Sequence, residues 1–289
     1  MTTSLNSFIL IRGGSCITSY KTITSDIDLF CIYNGQLPSI IKKYAVQQNA
    51  DIECKEFSEF SGLIDKLMGG DLSVSINYSN LNFYDLRFLA RCITGEIISP
   101  NELLFNTLTS VKLQLRAHLA NHFCTKYAAL YKDIYGLTLC DNFETILLIA
   151  AEFVQNVLMT VLLLDDLVDP SPKWVFELCK QSHYSTTKQG GINLGCVLRN
   201  YKPSREWSLD LLNIANSTLS RVLIGDKELH SSTSFFDHFE NPEICVLGNR
   251  FGYHLFNVIT DKIFPCNSYY LASLGTYQPK TIEYATPTI

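Results

Sequence analysis

Asp26 and Asp28, in the run Ser25-Asp26-Ile27-Asp28-Leu29, follow a glycine turn, Gly13-Gly14-Ser15, with Ser25 standing ten positions after Ser15. These residue types at this spacing suit a magnesium-dependent attack on a nucleotide phosphate. Glycines let backbone N–H groups approach a phosphate closely, and a serine hydroxyl adds a side-chain hydrogen bond. Two carboxylates a few ångströms apart repel unless a cation lies between them.

Positioning these groups takes strands. Phe8-Ile9-Leu10-Ile11-Arg12 reads as a short buried strand that runs into the glycine turn. The run Asp26 to Tyr33 is rich in β-branched and aromatic residues, and a strand's period of two puts Asp26 and Asp28 on one face. A helical segment is expected around Leu37 to Gln47, then a strand from Ala50 to Phe57 with Asp51 and Glu53 on a common face. Pattern alone does not choose between Asp51 and Glu53 as a third carboxylate. Glu53 is favoured because it lies deeper in the strand, and a solvated strand edge accounts for either as well. Asp85 is a weaker alternative, better read as a first-turn helix residue interacting with the helix dipole.

Residues 8 to 33 resemble the nucleotidyltransferase superfamily that shares its catalytic domain with DNA polymerase beta, the aminoglycoside nucleotidyltransferases and the poly(A) and CCA-adding enzymes. Its pattern is a strand, Gly-Ser, a loop of about ten residues, Ser-Asp-x-Asp on the next strand and a third carboxylate on a later one. Ser19 stands where many bacterial members carry a further glycine. The resemblance implies that Asp26, Asp28 and Glu53, or Asp51 in its place, hold two Mg²⁺ ions, and that Gly14, Ser15 and Ser25 bind the nucleotide. It implies in-line attack on the α-phosphate of ATP or another nucleoside triphosphate, transfer of a nucleoside monophosphate to a hydroxyl, and release of pyrophosphate. Glu53 or Asp51 is also placed to accept the hydroxyl proton.

The pattern turns helical beyond Ser99-Pro100, with apolar residues at three- and four-residue intervals over Leu103 to Tyr135 and a second long helix over Asp141 to Leu167. The expected fold is therefore α+β: a nucleotidyltransferase-like mixed sheet with helices over residues 1–100, followed by a C-terminal α-helical bundle over residues 101–289. Within the first part, Leu72 to Tyr78 reads as a strand and Asp85 to Ile93 as a helix. Leu162-Leu163-Leu164-Asp165-Asp166-Leu167 with Pro170-Ser171-Pro172-Lys173-Trp174 resembles the bundle appended to kanamycin-type bacterial nucleotidyltransferases. A homodimer is compatible with that two-domain organisation. His183 to Pro203 reads as a polar, glycine-containing loop, and Trp207 to Ile224 and Arg250 to Ile263 as helices.

Bulk properties narrow the acceptor. The formal net charge is -5 with no dense Lys/Arg run, so the basic stripe of a protein tracking a phosphate backbone is missing. A small-molecule acceptor is expected ahead of RNA or protein, with Glu152, or Asp165 and Asp166, available to attract cationic groups. Toxin-like modification of RNA or protein and a non-catalytic nucleotide-binding module are the competing readings. The ten cysteines contain no Cys-x-x-Cys pair and no signal-peptide pattern opens the chain, so reduced thiols in the cytoplasm are expected. Glu152, Gln155 and Asn156 interrupt the apolar helix and argue against a membrane span. His118 and His122 have the spacing of a helical zinc pair without a third ligand, and are read as surface histidines. Gly190-Gly191-Ile192-Asn193-Leu194-Gly195 matches neither a dinucleotide loop nor a Walker loop.

Overall fold

The computed structural model describes residues 8–14, 26–69, 81–98, 102–165, 167, 171–224, 242–249, 252–260 and 262–266. The chain divides into two compact units. The first comprises Met1–Leu72, Tyr78–Leu119 and Val168–Pro170, and the second Ser73–Asn77, Ala120–Leu167 and Ser171–Ile289. One of the boundaries between them falls between Leu119 and Ala120.

In the first unit, strands β1 (Phe8–Gly13) and β2 (Asp28–Tyr33) pair antiparallel, and helix α1 (Ser39–Gln48) returns the chain to β3 (Asp51–Glu56), parallel to β2. Helix α2 (Phe57–Met68) starts in a capping box made by Glu56 and Glu59. Helix α3 (Phe83–Thr94) starts at Asn82, whose side chain accepts the Asp85 N–H, and leads into the short strand β4 (Glu96–Ile97) beside β1. The result is a four-stranded mixed sheet of order β3-β2-β1-β4. Its period-two alternation separates two faces. Leu10, Leu29 and Cys31 pack with Ile41 and Ala45 of α1 on one side. On the other, Phe30 meets Phe88 of α3 edge-on, with ring centroids 5.9 Å apart. The strand expected over Leu72 to Tyr78 lies outside the described residues.

Helix α4 (Glu102–Leu139) belongs to the first unit up to Leu119 and to the second from Ala120. The second unit continues with α5 (Phe143–Leu164), a single 3₁₀ turn (Pro172–Trp174), α6 (Val175–Gln181), α7 (Ser185–Arg199) and α8 (Arg205–Ile224). Helix α5 is long and apolar enough to cross a bilayer, with a mean hydropathy of 2.1 over its most apolar window. That window is 67% buried inside the protein, as in a core helix.

Two expectations for this unit are corrected. Residues 185–199 form helix α7, not a loop, because their glycines serve packing: a Cβ on Gly190 would lie 2.4 Å from Thr218 Cγ2 of α8, and one on Gly191 2.8 Å from Cys179 Cβ of α6. Close helix contact outweighs the low helix propensity of glycine. The second correction concerns residues 250–263. Instead of a helix, the region contributes to an antiparallel sheet of β5 (Ile244–Asn249), β6 (Gly252–Asn257) and β7 (Lys262–Cys266). Asn257 Oδ1 accepts the N–H groups of Ile259 and Thr260, each at 3.0 Å, and so fixes the turn after β6. The C-terminal part is thus helical with a three-stranded sheet added.

Buried polar side chains tie this unit together. Asn216 of α8 accepts the Tyr127 hydroxyl at 2.7 Å and the Val246 N–H at 3.1 Å, and donates to the Tyr131 hydroxyl at 3.0 Å. All three side chains, of Asn216, Tyr127 and Tyr131, are fully buried.

Candidate active site

Gly13 is the ladder partner of Asp28, the first residue of β2. The chain then turns at Gly14 with a φ of 81°, and a Cβ there would lie 2.2 Å from Asp28 Oδ2. Both the backbone conformation and the carboxylate against Cα require glycine. In the parallel ladder on the other side of β2, Asp28 is paired with Asp51, and Phe30 with Glu53. Neighbouring strands lie about 4.8 Å apart and paired residues share a face, so the three acids stand together on the α3 side of the sheet. Asp51 and Glu53 are exposed on the edge strand, whereas Asp28 is half-buried.

Asp28, Asp51 and Glu53 line one wall of a cavity of about 330 Å³. The facing wall comes from α3. Tyr84, Arg87 and Arg91, spaced three and four residues apart, share one face of that helix and all line the cavity. Arg91 Nη1 lies 4.0 Å from Asp28 Oδ2, and its guanidinium sits over the Phe30 ring at 5.5 Å. Asp85 is committed elsewhere. It accepts from Lys55 Nζ at 3.2 Å and from Asn82 Nδ2 at 2.8 Å, in keeping with its first-turn position.

The structure therefore brings Asp28, Asp51 and Glu53 together beside Gly14. Asp26 precedes β2, is exposed, and is not among the lining residues. Ser15 and Ser25 lie outside the described residues. Among the described residues no three acidic, histidine or cysteine groups close on a common point. The oxygen-only donor set still fits magnesium, which takes one or two protein carboxylates and keeps water or substrate phosphate in its other positions.

No protein-family model, curated protein or solved structure matches this chain.

The other side chains singled out in the sequence have structural explanations. His118 is buried, not on the surface; its Nε2–H donates to the Leu67 carbonyl at 3.1 Å, and burial lowers its pKa. His122 is half-buried, and burial, helped by Lys126, lowers its pKa to about 4. Glu152 is exposed on α5 and needs no internal partner. The polar break in α5 is filled instead by Asn156, whose Nδ2 donates to the Glu152 carbonyl at 2.7 Å. Asp165 is half-buried at the end of α5, and Asp166 lies outside the described residues. The cysteines are free at all eight positions described, and burial pushes the Cys31 thiol up to about 12.

The α3 wall was not anticipated. Its signal is present in Tyr84-Asp85-Leu86-Arg87-Phe88-Leu89-Ala90-Arg91 as a polar stripe at helical spacing beside the apolar Leu86, Phe88 and Leu89. Such a stripe reads as an ordinary solvated face until the acidic strands are placed opposite it.

Proposed function

We propose that this chain is a Mg²⁺-dependent nucleotidyltransferase that moves a nucleoside monophosphate, AMP from ATP, to a hydroxyl of a small-molecule acceptor. The observation that carries this reading is the pairing of Asp28 with Asp51 beside the Gly14 turn, with Glu53 on the same wall. The motif resemblance of residues 8 to 33 supports it, and the four-stranded mixed sheet is the catalytic fold in this reading. Asp28 with Asp51 or Glu53 would hold the metal alongside the triphosphate, and Asp26 stands two residues ahead of Asp28. Magnesium there supplies charge neutralisation for the leaving pyrophosphate and acidifies the acceptor hydroxyl.

The protein groups have separate tasks. Gly14 keeps the approach to Asp28 free of side chain, and Arg91 offsets part of the acidic charge. Asp51 and Glu53, exposed in the same wall, are the groups positioned to take the acceptor proton. A bond forms between the acceptor oxygen and the α-phosphorus. The bond from that phosphorus to the oxygen bridging to the β-phosphorus breaks, pyrophosphate leaves, and the proton passes to a carboxylate or to water.

A small acceptor is preferred because the net charge is -5 and the sequence lacks a basic run. A cytoplasmic location is part of the proposal. The test is incubation of the protein with α-labelled ATP, CTP, GTP or UTP, Mg²⁺ and separate pools of cell metabolites, RNA and protein. Label from ATP in the metabolite pool is the expected result. Label only in RNA or protein would overturn the acceptor, and no label with any triphosphate would overturn the transferase.

A further inference from the structure

The cavity is lined by cations as well as acids. Among the described residues, the ion pairs include Arg91 with Asp28, at the 4.0 Å limit, but none joining Arg87 to Asp51 or Glu53. About 330 Å³ remains between the walls, within the range of small-ligand sites. At the cavity edge stands Tyr84, an aromatic ring 77% exposed in the first turn of α3. A large exposed ring in line with two guanidiniums, facing carboxylates that suit a metal, has the polarity of a bound metal–nucleotide complex.

We propose that the Tyr84-Arg87-Arg91 face of α3 is the nucleotide-recognising wall: the two guanidiniums take oxygens of the triphosphate, and the Tyr84 ring stacks on the nucleobase. The inference rests on the nucleotide reading of the same cavity and adds residues outside the motif that suggested it. The planar guanidinium forks match phosphate geometry and keep their charge at any working pH. Arg91 Nη1 stands 4.0 Å from Asp28 Oδ2, a separation that lets a phosphate oxygen approach the guanidinium while Asp28 turns to a metal. Its stacking on Phe30 keeps the guanidinium in the wall during the exchange. Tyr84 requires no hydrogen bond to act, since every base presents a π-face.

The test is calorimetric binding of ATP and of inorganic tripolyphosphate to the full chain, with Mg²⁺, for the parent protein and for Arg87→Gln, Tyr84→Ala and Tyr84→Phe. Arg87→Gln is expected to weaken both probes by about tenfold or more. Tyr84→Ala is expected to weaken ATP by about tenfold and leave tripolyphosphate unchanged, and Tyr84→Phe to retain parental ATP binding because the ring remains. Failure of the parent to bind either probe would overturn the wall. So would parental affinities in Arg87→Gln, or a loss in Tyr84→Ala that falls equally on both probes. Transfer assayed in parallel separates this inference from the enzymatic one. The expected binding losses in a protein that transfers nothing keep the wall and sink the transferase, whereas unchanged binding in variants of an active enzyme does the reverse.

Discussion

Asn216 and Asp28 each stand where three elements meet, one in each unit, yet their polar atoms are treated in opposite ways. Asn216 joins α4, α8 and β5, and the Tyr127, Tyr131 and Val246 groups around it are matched to it in a fully buried setting. Asp28 joins the β1 turn, β3 and α3, shares a cavity wall with two further carboxylates, and has Arg91 at 4.0 Å among the described residues. Buried polar groups stabilise only when their bonds are complete, so the Asn216 network has an architectural explanation. Three carboxylates on one face repel each other and gain little from a half-exposed pair. A fold selected for stability alone would dilute that charge, so the difference separates what holds the molecule together from what it holds ready for a ligand.

The sharpest way to break this comparison is Asp28→Asn, which removes charge but little volume. Transfer should fall by about a thousandfold, equivalent to ~4 kcal/mol of transition-state stabilisation, while the urea midpoint stays unchanged or rises. Parental turnover in the variant would remove Asp28 from the chemistry; a large loss of stability would make it structural. The mirror experiment is Asn216→Ala. It leaves two buried tyrosine hydroxyls and a strand N–H without this partner and should cost about 3 kcal/mol in urea unfolding. Its activity should fall only with the folded fraction. A selective loss of turnover in fully folded Asn216→Ala would erase the distinction between the two clusters.

How much of this was legible in the sequence depended on whether local pattern and packing agreed. Around Asp28 they agree: Phe8 to Arg12 reads as a short buried strand and Asp28 to Tyr33 as a β-branched and aromatic one, and both form strands. At Gly190 and Gly191 they conflict. Local propensity favours a loop, and the helix exists because Thr218 and Cys179 occupy the space a side chain would take. Residues 250–263 were misread because the apolar spacing in Tyr253-His254-Leu255-Phe256 fits either period, and the turn bonds of Asn257 decide it. The acids of the candidate site could be named, but not the facing arginines, because a helix face acquires meaning only from what the fold puts opposite it. Strand depth favours Glu53 over Asp51 in the sequence, but proximity to Asp28 depends on register, which strand depth does not contain.

Register now sharpens the ranking within the acidic wall. Asp51 is the direct ladder neighbour of Asp28, whereas Glu53 is opposite Phe30 and must reach along the strand. Asp51→Asn should therefore lower transfer by about ten- to a hundredfold, and Glu53→Gln by about tenfold or less. Glu53→Gln as the more damaging change would return the metal-holding role to the residue that strand depth favoured. Equal mild effects would leave Asp28 without a partner in β3 and weaken the contrast with Asn216.

The smallest expected effect concerns histidines that have no place in either cluster. His122 is held neutral by burial, with a folded-state pKa of about 4 against 6.5 for an unperturbed imidazole. Between those values the unfolded chain binds more protons than the folded one, so stability is intact above about pH 6.5 and is lost as pH falls toward 4. His118, also lowered by burial while donating to Leu67, acts in the same direction. Because His122 retains some solvent access, its share should be about 1–2 kcal/mol rather than the full shift. His122→Gln should flatten the fall in urea-unfolding free energy across that window, and subtracting its profile from the parent's isolates the histidine from the acidic wall, which both proteins retain. An unchanged slope in His122→Gln would assign the acid sensitivity to other groups, and the carboxylates around Asp28 would then have to be tested as contributors to stability as well as to chemistry.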